Sequence, residues 1–421
     1  MSQISTKRDN CRLCSSKNLR LVLPIKASPI ADAFVGADNL LITQPLAPLD
    51  LYQCDDCGHA QNLDVVNPEL LFREYIFTTS SSKGLIDHFN KYASDVVDHF
   101  KIQRGSLIVE LGSNDGTLLK FFNDLGMKVL GVDPAREIAN KATVSGIKTV
   151  PDYFDSELSK KILSEYGPAK LIVANNVYAH ADQLGDITKG IAQLLDDDGV
   201  FIFEVSYLLD IVDKFVFDTI YHEHLSYHSI KPFVQFFKSH GLQLFDVESI
   251  GTKGGSIRGF VQKINGGRPE KPIIQKMLSI ENERGLHEIG IFSEYAHQIE
   301  ERKNSLLNFI KKLRSEGKKV VGYGASTTVT TLMYHFELTD QLDYLIDDNE
   351  RKHGLFSPGC HLPVVPSSVL REDPPDVVVI LAWQYAKPIM EKNKGFLEHD
   401  GLFIVPLPNL QVISKQNIGN I

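Results

Sequence analysis

Two apolar strands, each running into a glycine turn and then a helix, constrain this chain more than any other feature. The first is SLIVELG at 106–112, followed by the helical pattern GTLLKFFNDLG; the second is KKVVGYGAS, opening at Lys318. KVLGVDP, LIVANNV and GVFIFEVS continue the first series, and LDYLIDDN, DVVVILAW and LFIVPLP continue the second. Apolar strands alternating with helical periodicity imply α/β domains built on a doubly wound, mostly parallel sheet. Two Rossmann-like domains are therefore expected. The stretch 241–264 breaks the rhythm, because LQLFDVESI and SIRGFVQKI read as an antiparallel pair.

At 421 residues there is room for two to four domains of roughly 150 residues each. The balance of 44 basic against 53 acidic side chains, net −9, argues against a general affinity for nucleic-acid phosphates. No apolar run approaches the roughly 18 residues that a membrane helix needs. The opening MSQISTKRDNC lacks the apolar core of a signal peptide, so a cytoplasmic location is expected. The expected state is a monomer with neither a nucleic-acid nor a membrane partner.

The five cysteines carry more information. Four fall as Cys11-x-x-Cys14 and Cys54-x-x-Cys57, with Cys360 alone beside Pro358 and Gly359. In a reducing compartment two CxxC pairs read as a four-thiolate zinc site better than as disulfides. Four thiolates close the coordination shell, so a structural metal is expected rather than a catalytic one. The 39 residues at 15–53 exceed the usual spacing and require an inserted loop or hairpin. A module this small holds little core of its own, and the metal should supply much of its stability.

Glu110-Leu-Gly112-Ser-Asn114-Asp-Gly116 sits where the first central strand meets its helix, a place where a ligand can approach backbone amides. Asp133 closes the second strand, 21 positions after Gly112, and is placed to accept from ribose hydroxyls. This is not the dinucleotide GxGxxG. An E-x-G-x-x-x-G turn with that aspartate is the pattern of methyltransferases that use S-adenosylmethionine (SAM). Asn175 and Asn176, ending the third strand, fall at the edge where such folds bind ligands. Further on, Tyr221-His222-Glu223-His224 misses the HExxH zinc-protease spacing by one residue. In an extended segment Tyr221 and His224 would point to opposite faces, so only a sharp bend could bring them together.

With YHEH in place, nearly the whole chain resembles the SAM-dependent C-methyltransferases that act on nucleotide-linked 4-keto-deoxysugars. The order carries the resemblance: a four-cysteine module, YIFTTS at 75–80, ELGSNDGTLL, NNVYAHADQL, DTIYHEHLSY, and a last Rossmann-like domain with GYGAS. The resemblance implies a class I SAM methyltransferase domain, SAM and a structural zinc as cofactors, and a nucleotide-diphosphate sugar as partner. By matching position His224 would be the general base, supported by Tyr221 and Glu223, with Tyr75 and His180 lining the same pocket. The chemistry suits those types, since a C4 ketone acidifies the C3 hydrogen and a base poised near neutrality can take it. A tyrosine hydroxyl or second histidine can then donate to the enolate oxygen, and a carboxylate such as Glu223 can fix the imidazole tautomer.

The implied domains are 1–75 for the zinc module, 76–267 for the methyltransferase domain with a helical lead-in, 268–317 for a helical connector, and 318–421 for the C-terminal domain. That last domain departs from the family pattern. Thr328 and Val329 stand where a Lys-Gly pair usually follows the glycine turn. Tyr323, Ser326 and Thr327 remain as candidates to meet the substrate's phosphate or base. Trp383, the single tryptophan, ends a strand in LAWQYA. The rival readings are O- or N-methylation of a small metabolite, and a module that binds SAM or a nucleotide without catalysis.

Overall fold

A computed structural model describes residues 4–73, 78–81, 83–251 and 254–417. Its centre is a seven-stranded sheet in which Leu107–Leu111 lies between Ala169–Asn175 on one side and Lys128–Val132, then Thr149–Val150, on the other. Beyond Ala169–Asn175 come Leu195–Ser206, Ser256–Lys263 and the edge strand Leu242–Ile250. Counted along the chain the order is 3-2-1-4-5-7-6, with the seventh strand antiparallel to both neighbours. This is the class I SAM methyltransferase arrangement. All five residues of LIVEL are buried, as a strand covered by helices on both faces must be. One cover is the amphipathic helix Lys83–Phe100, whose Phe89, Tyr92, Ala93 and Val96 face the sheet. Arg258 from the sheet lies over the Tyr92 ring and pairs with buried Glu204.

A four-stranded sheet holds the cysteine module. Leu19–Leu23, Leu51–Cys54 and Ala60–Asn62 pair antiparallel, and the fourth strand is Ser226–Tyr227, directly after YHEH. Ser226 pairs with Gln61 and Tyr227 with Ala60. One hydrogen-bonded sheet therefore crosses the boundary expected near residue 75. The insert between the cysteine pairs contributes the strand Leu19–Leu23 and then a strap along the C-terminal domain. There Val35 bridges Phe356, the Gly359 amide donates to Gln44 Oε1 at 2.6 Å, and Lys352 pairs with Asp32 at 2.6 Å.

The C-terminal domain is a six-stranded sheet in the order Val364–Val365, Leu345–Ile346, Val320–Tyr323, Val377–Ile380, Leu402–Val405 and Gln411–Ile413, with only the last strand antiparallel. The connector is more than an arm. Its long helix, Ile289–Ser315, buries Phe292, Tyr295, Ile299, Leu306, Leu307, Ile310 and Leu313 and packs on both Leu19–Leu23 and Val320–Tyr323. Its charged residues face solvent while this stripe joins the zinc module to the C-terminal sheet.

Candidate active site

The cofactor turn takes its form from residues close in sequence. Gly112 (φ 67°), Asn114 (φ 49°) and Gly116 (φ 76°) all adopt the left-handed region. A Cβ on Gly112 would lie 2.6 Å from Val177, so glycine is required by space as well as by φ. Gly116 precedes the helix Thr117–Asp124 and leaves its first amides facing the turn. Asp133 accepts from the Asn114 amide at 2.7 Å and the Ala135 amide at 2.8 Å, and these bonds hold the carboxylate at the strand end. Burial pushes its carboxyl up, opposed by those two amides. Segment 78–81 lies across the turn, with the Thr79 amide on Asn114 Oδ1 and the Ser80 amide on Asp115, each at 2.9 Å.

Two buried polar groups at this turn lack a partner among the described residues. They are Glu110 Oε2 and the side-chain amide of Asn175. Burial, with Asp133 and Asp115 nearby, holds the Glu110 carboxyl well above the ordinary range. Uncompensated polar atoms are costly in an interior. Here they converge on strand ends beside an amide-lined glycine turn, which fits an adenosine-bearing ligand with hydroxyls to donate. Asn176 adds a second non-glycine left-handed residue (φ 62°), and its amide donates to the Glu204 carbonyl at 2.7 Å.

The YHEH segment is a tight turn, not an extended strand. The His224 amide donates to the Tyr221 carbonyl at 2.9 Å, and the turn brings the Tyr221 hydroxyl to 2.9 Å from His224 Nε2. Nδ1 of His224 lies 2.8 Å from the Thr219 carbonyl. A carbonyl only accepts, so Nδ1 carries the proton and Nε2 is the basic nitrogen. The Thr219 carbonyl thus orients the imidazole at Nδ1. His180 packs its ring 5.0 Å from that of His224 and 5.7 Å from Phe72. The structure thus brings Tyr221, His224 and His180 together, with Glu223 buried in the same turn. Tyr75 lies outside the described residues. His222 leaves the cluster: its Nε2 meets the Ala47 carbonyl at 3.1 Å, and burial holds its pKa down at about 4.

The four sulfurs of Cys11, Cys14, Cys54 and Cys57 lie within 4.8 Å of one another, with Cys11 to Cys57 at 3.6 Å and Cys14 to Cys54 at 3.5 Å. Tetrahedral zinc with bonds of about 2.3 Å places thiolates about 3.8 Å apart, so the set fits the metal. A hydrogen bond from Cys57 brings Cys11 down to about 5.

This module holds the YHEH turn through residues that sequence reasoning missed. Arg12, between the first two cysteines, is buried and donates to Gln61 Oε1, to the Asn62 carbonyl and to the Leu225 carbonyl, and it pairs with Asp182 at 3.1 Å. The Asn62 amide donates to the Leu225 carbonyl at 3.0 Å, and its side chain donates to the His224 carbonyl at 3.3 Å. The Tyr227 hydroxyl donates to that same carbonyl at 2.9 Å. An arginine buried inside a metal knuckle was the available signal.

In the C-terminal domain, the Tyr323 hydroxyl donates to Asp348 at 3.1 Å and accepts from Asn393 at 3.3 Å, and Lys392 pairs with the same Asp348 carboxylate at 2.6 Å. Ser326 and Thr327 are more open, at the start of the helix Thr327–His335. Lys352 Nζ reaches the Ala325 carbonyl at 2.7 Å, so a positive charge comes to this turn from outside position 328.

The chain matches three family models in sequence: a "Putative zinc binding domain" at residues 11–72, a methyltransferase domain at 86–247, and a C-methyltransferase C-terminal domain at 251–408. It is 32% identical over 418 residues to the C-methyltransferase NovU of Streptomyces niveus, covering 99% of this chain and 100% of that one. Solved structures with partial likeness include magnesium protoporphyrin IX methyltransferase from Synechocystis PCC 6803 with bound SAH. That match has 13% identity, covers 43% of this chain and 83% of that one, and has a TM-score of 0.34. The PH0226 protein of Pyrococcus horikoshii OT3 is another, with 14% identity, 47% and 98% coverage and a TM-score of 0.37. Full-length identity to NovU, joined to the cysteine cluster and the sheet order, makes the chain a member of the SAM-dependent C-methyltransferase family.

Proposed function

We propose that the protein methylates carbon C3 of a nucleotide-linked 4-keto-deoxysugar, with His224 as the general base. The observation that carries this reading is the imidazole held by Thr219 at Nδ1 with Nε2 turned to the Tyr221 hydroxyl. The fixed tautomer leaves one nitrogen basic, as removal of a proton from a carbon acid requires. Tyr221 and His180, both beside His224, are placed to donate to the oxygen that gains charge when the proton leaves. Glu110, Gly112, Asn114, Gly116, Asp133, Asn175 and Asn176 would hold SAM, which supplies an electrophilic methyl group when bound. The chain's own contribution to transfer is orientation, which keeps a carbon nucleophile and methyl in line. Zinc would sit on Cys11, Cys14, Cys54 and Cys57 and keep the module that grips Leu225 and His224 folded. The exposed Ser326 and half-buried Thr327, with Lys352 close by, are the groups we assign to the diphosphate.

The test is a screen of dTDP-, GDP- and CDP-linked 4-keto sugars with SAM, read by S-adenosylhomocysteine release and by NMR. The expected result is a new methyl signal on the carbon beside the ketone with one nucleotide class. A methyl on oxygen or nitrogen, or turnover with none, would overturn the reading.

A further inference from the structure

The approach to His224 is held from the opposite side by the C-terminal domain. The 3-10 turn Phe217–Thr219 leads into YHEH, and Phe336 stacks on Phe217 with ring centroids 5.2 Å apart. Thr331 Oγ1 donates to the Ile220 carbonyl at 2.7 Å. Between these contacts the Trp383 indole N–H donates to Asp218 Oδ2 at 2.8 Å, across 165 residues of chain. Asp218 is wholly buried, and its other oxygen has no partner among the described residues. A buried carboxyl with one hydrogen bond is poor stabilisation, and an apolar pair of like shape would serve packing better. The residue after Asp218 is Thr219, whose carbonyl fixes the His224 tautomer.

We propose that Trp383 is a positioning residue for methyl transfer: its bond to Asp218 sets the Thr219 carbonyl, and through it the aim of His224. The C-terminal domain then acts on the base as well as on the substrate. This inference rests on the reading of His224 as base.

The test uses the full-length protein and the sugar nucleotide that the screen identifies. Trp383→Phe keeps an aromatic ring and removes the donor, and Asp218→Leu removes the acceptor. Each should lower kcat about tenfold while leaving KM for both substrates and the SAM Kd within about twofold. The double variant should lose about tenfold rather than a hundredfold, because the two groups act as one bond. Asp218→Asn, which keeps an accepting oxygen, should recover most of the loss seen in Asp218→Leu. Retained SAM binding shows that each variant is folded. Trp383→Phe turning over within twofold of the unmodified enzyme, or additive losses in the double variant, would overturn the proposal. A raised sugar-nucleotide KM at constant kcat would also overturn it, making Trp383 a substrate contact. His224→Asn separates the two ideas. If that variant stays active the base assignment fails, and if it is inactive while Trp383→Phe is normal only the positioning role fails.

Discussion

The glycine turn at 112–116 and the YHEH turn at 221–224 are both short loops in one α/β domain, yet they are shaped by different means. Gly112, Asn114, Gly116 and Asp133 form the first within a single strand–helix–strand unit, through φ values and two amide bonds to Asp133. The second has local bonds from Thr219, Tyr221 and Tyr227 to His224, and is held besides from two distant parts of the chain. Asn62 and Arg12 hold Leu225 and His224 from the zinc module, while Trp383 and Thr331 hold Asp218 and Ile220 from the C-terminal domain. A locally encoded site can survive damage elsewhere, whereas a site assembled from three regions cannot. Binding of SAM and transfer of its methyl should therefore be separable by mutation.

The widest separation should come from His224→Asn. Methyl transfer should fall by about a thousandfold, as expected for loss of a positioned general base, with the SAM Kd unchanged by titration calorimetry. Next is the metal. Chelation or Cys54→Ser should lower transfer about a hundredfold, because the sheet that carries Ser226–Tyr227 loosens, yet SAM affinity should stay within about threefold. Loss of both together would erase the contrast between the turns. Gly112→Ala should do the reverse, weakening SAM about tenfold through the Val177 clash while leaving the cysteine module's metal content intact.

The last test reads stability rather than transfer, and concerns pH. Burial raises the Asp218 carboxyl to about 7, and the groups facing it are the Trp383 indole and Tyr295. The folded chain thus binds more protons than the unfolded one between about pH 4 and pH 7. This group's contribution is intact below about pH 4 and is lost as pH rises through 7, by at most about 1.4 kcal/mol per pH unit. Denaturant titrations across that range should show a shallower slope for Asp218→Asn than for the unmodified chain. Equal slopes would place the carboxyl in a more solvated setting.

The same contrast explains what the sequence could tell. The glycine turn, its aspartate and the paired cysteines are legible because spacing and φ preference write them into neighbouring residues. The mostly parallel sheet of the central domain followed from the same alternation, as did the antiparallel pair at its edge, whereas the strand order did not. The grip on His224 was not legible. The Thr219 carbonyl is a backbone group that any residue could supply, so no side chain marks it. The pairing of Ser226 with Gln61 and the Trp383–Asp218 bond join segments more than 150 residues apart. The charged face of Ile289–Ser315 hid a buried stripe, since a helix packed on two neighbours reads as only weakly one-sided.

The account stands on His224 acting as a carbon-acid base, and proton exchange tests that before any methyl moves. A 4-keto sugar nucleotide incubated in D2O with the enzyme and S-adenosylhomocysteine should gain one deuterium at the carbon beside the ketone, seen by NMR. His224→Asn, still binding S-adenosylhomocysteine, should leave that position protonated. Exchange by the variant at the unmodified rate would contradict the account.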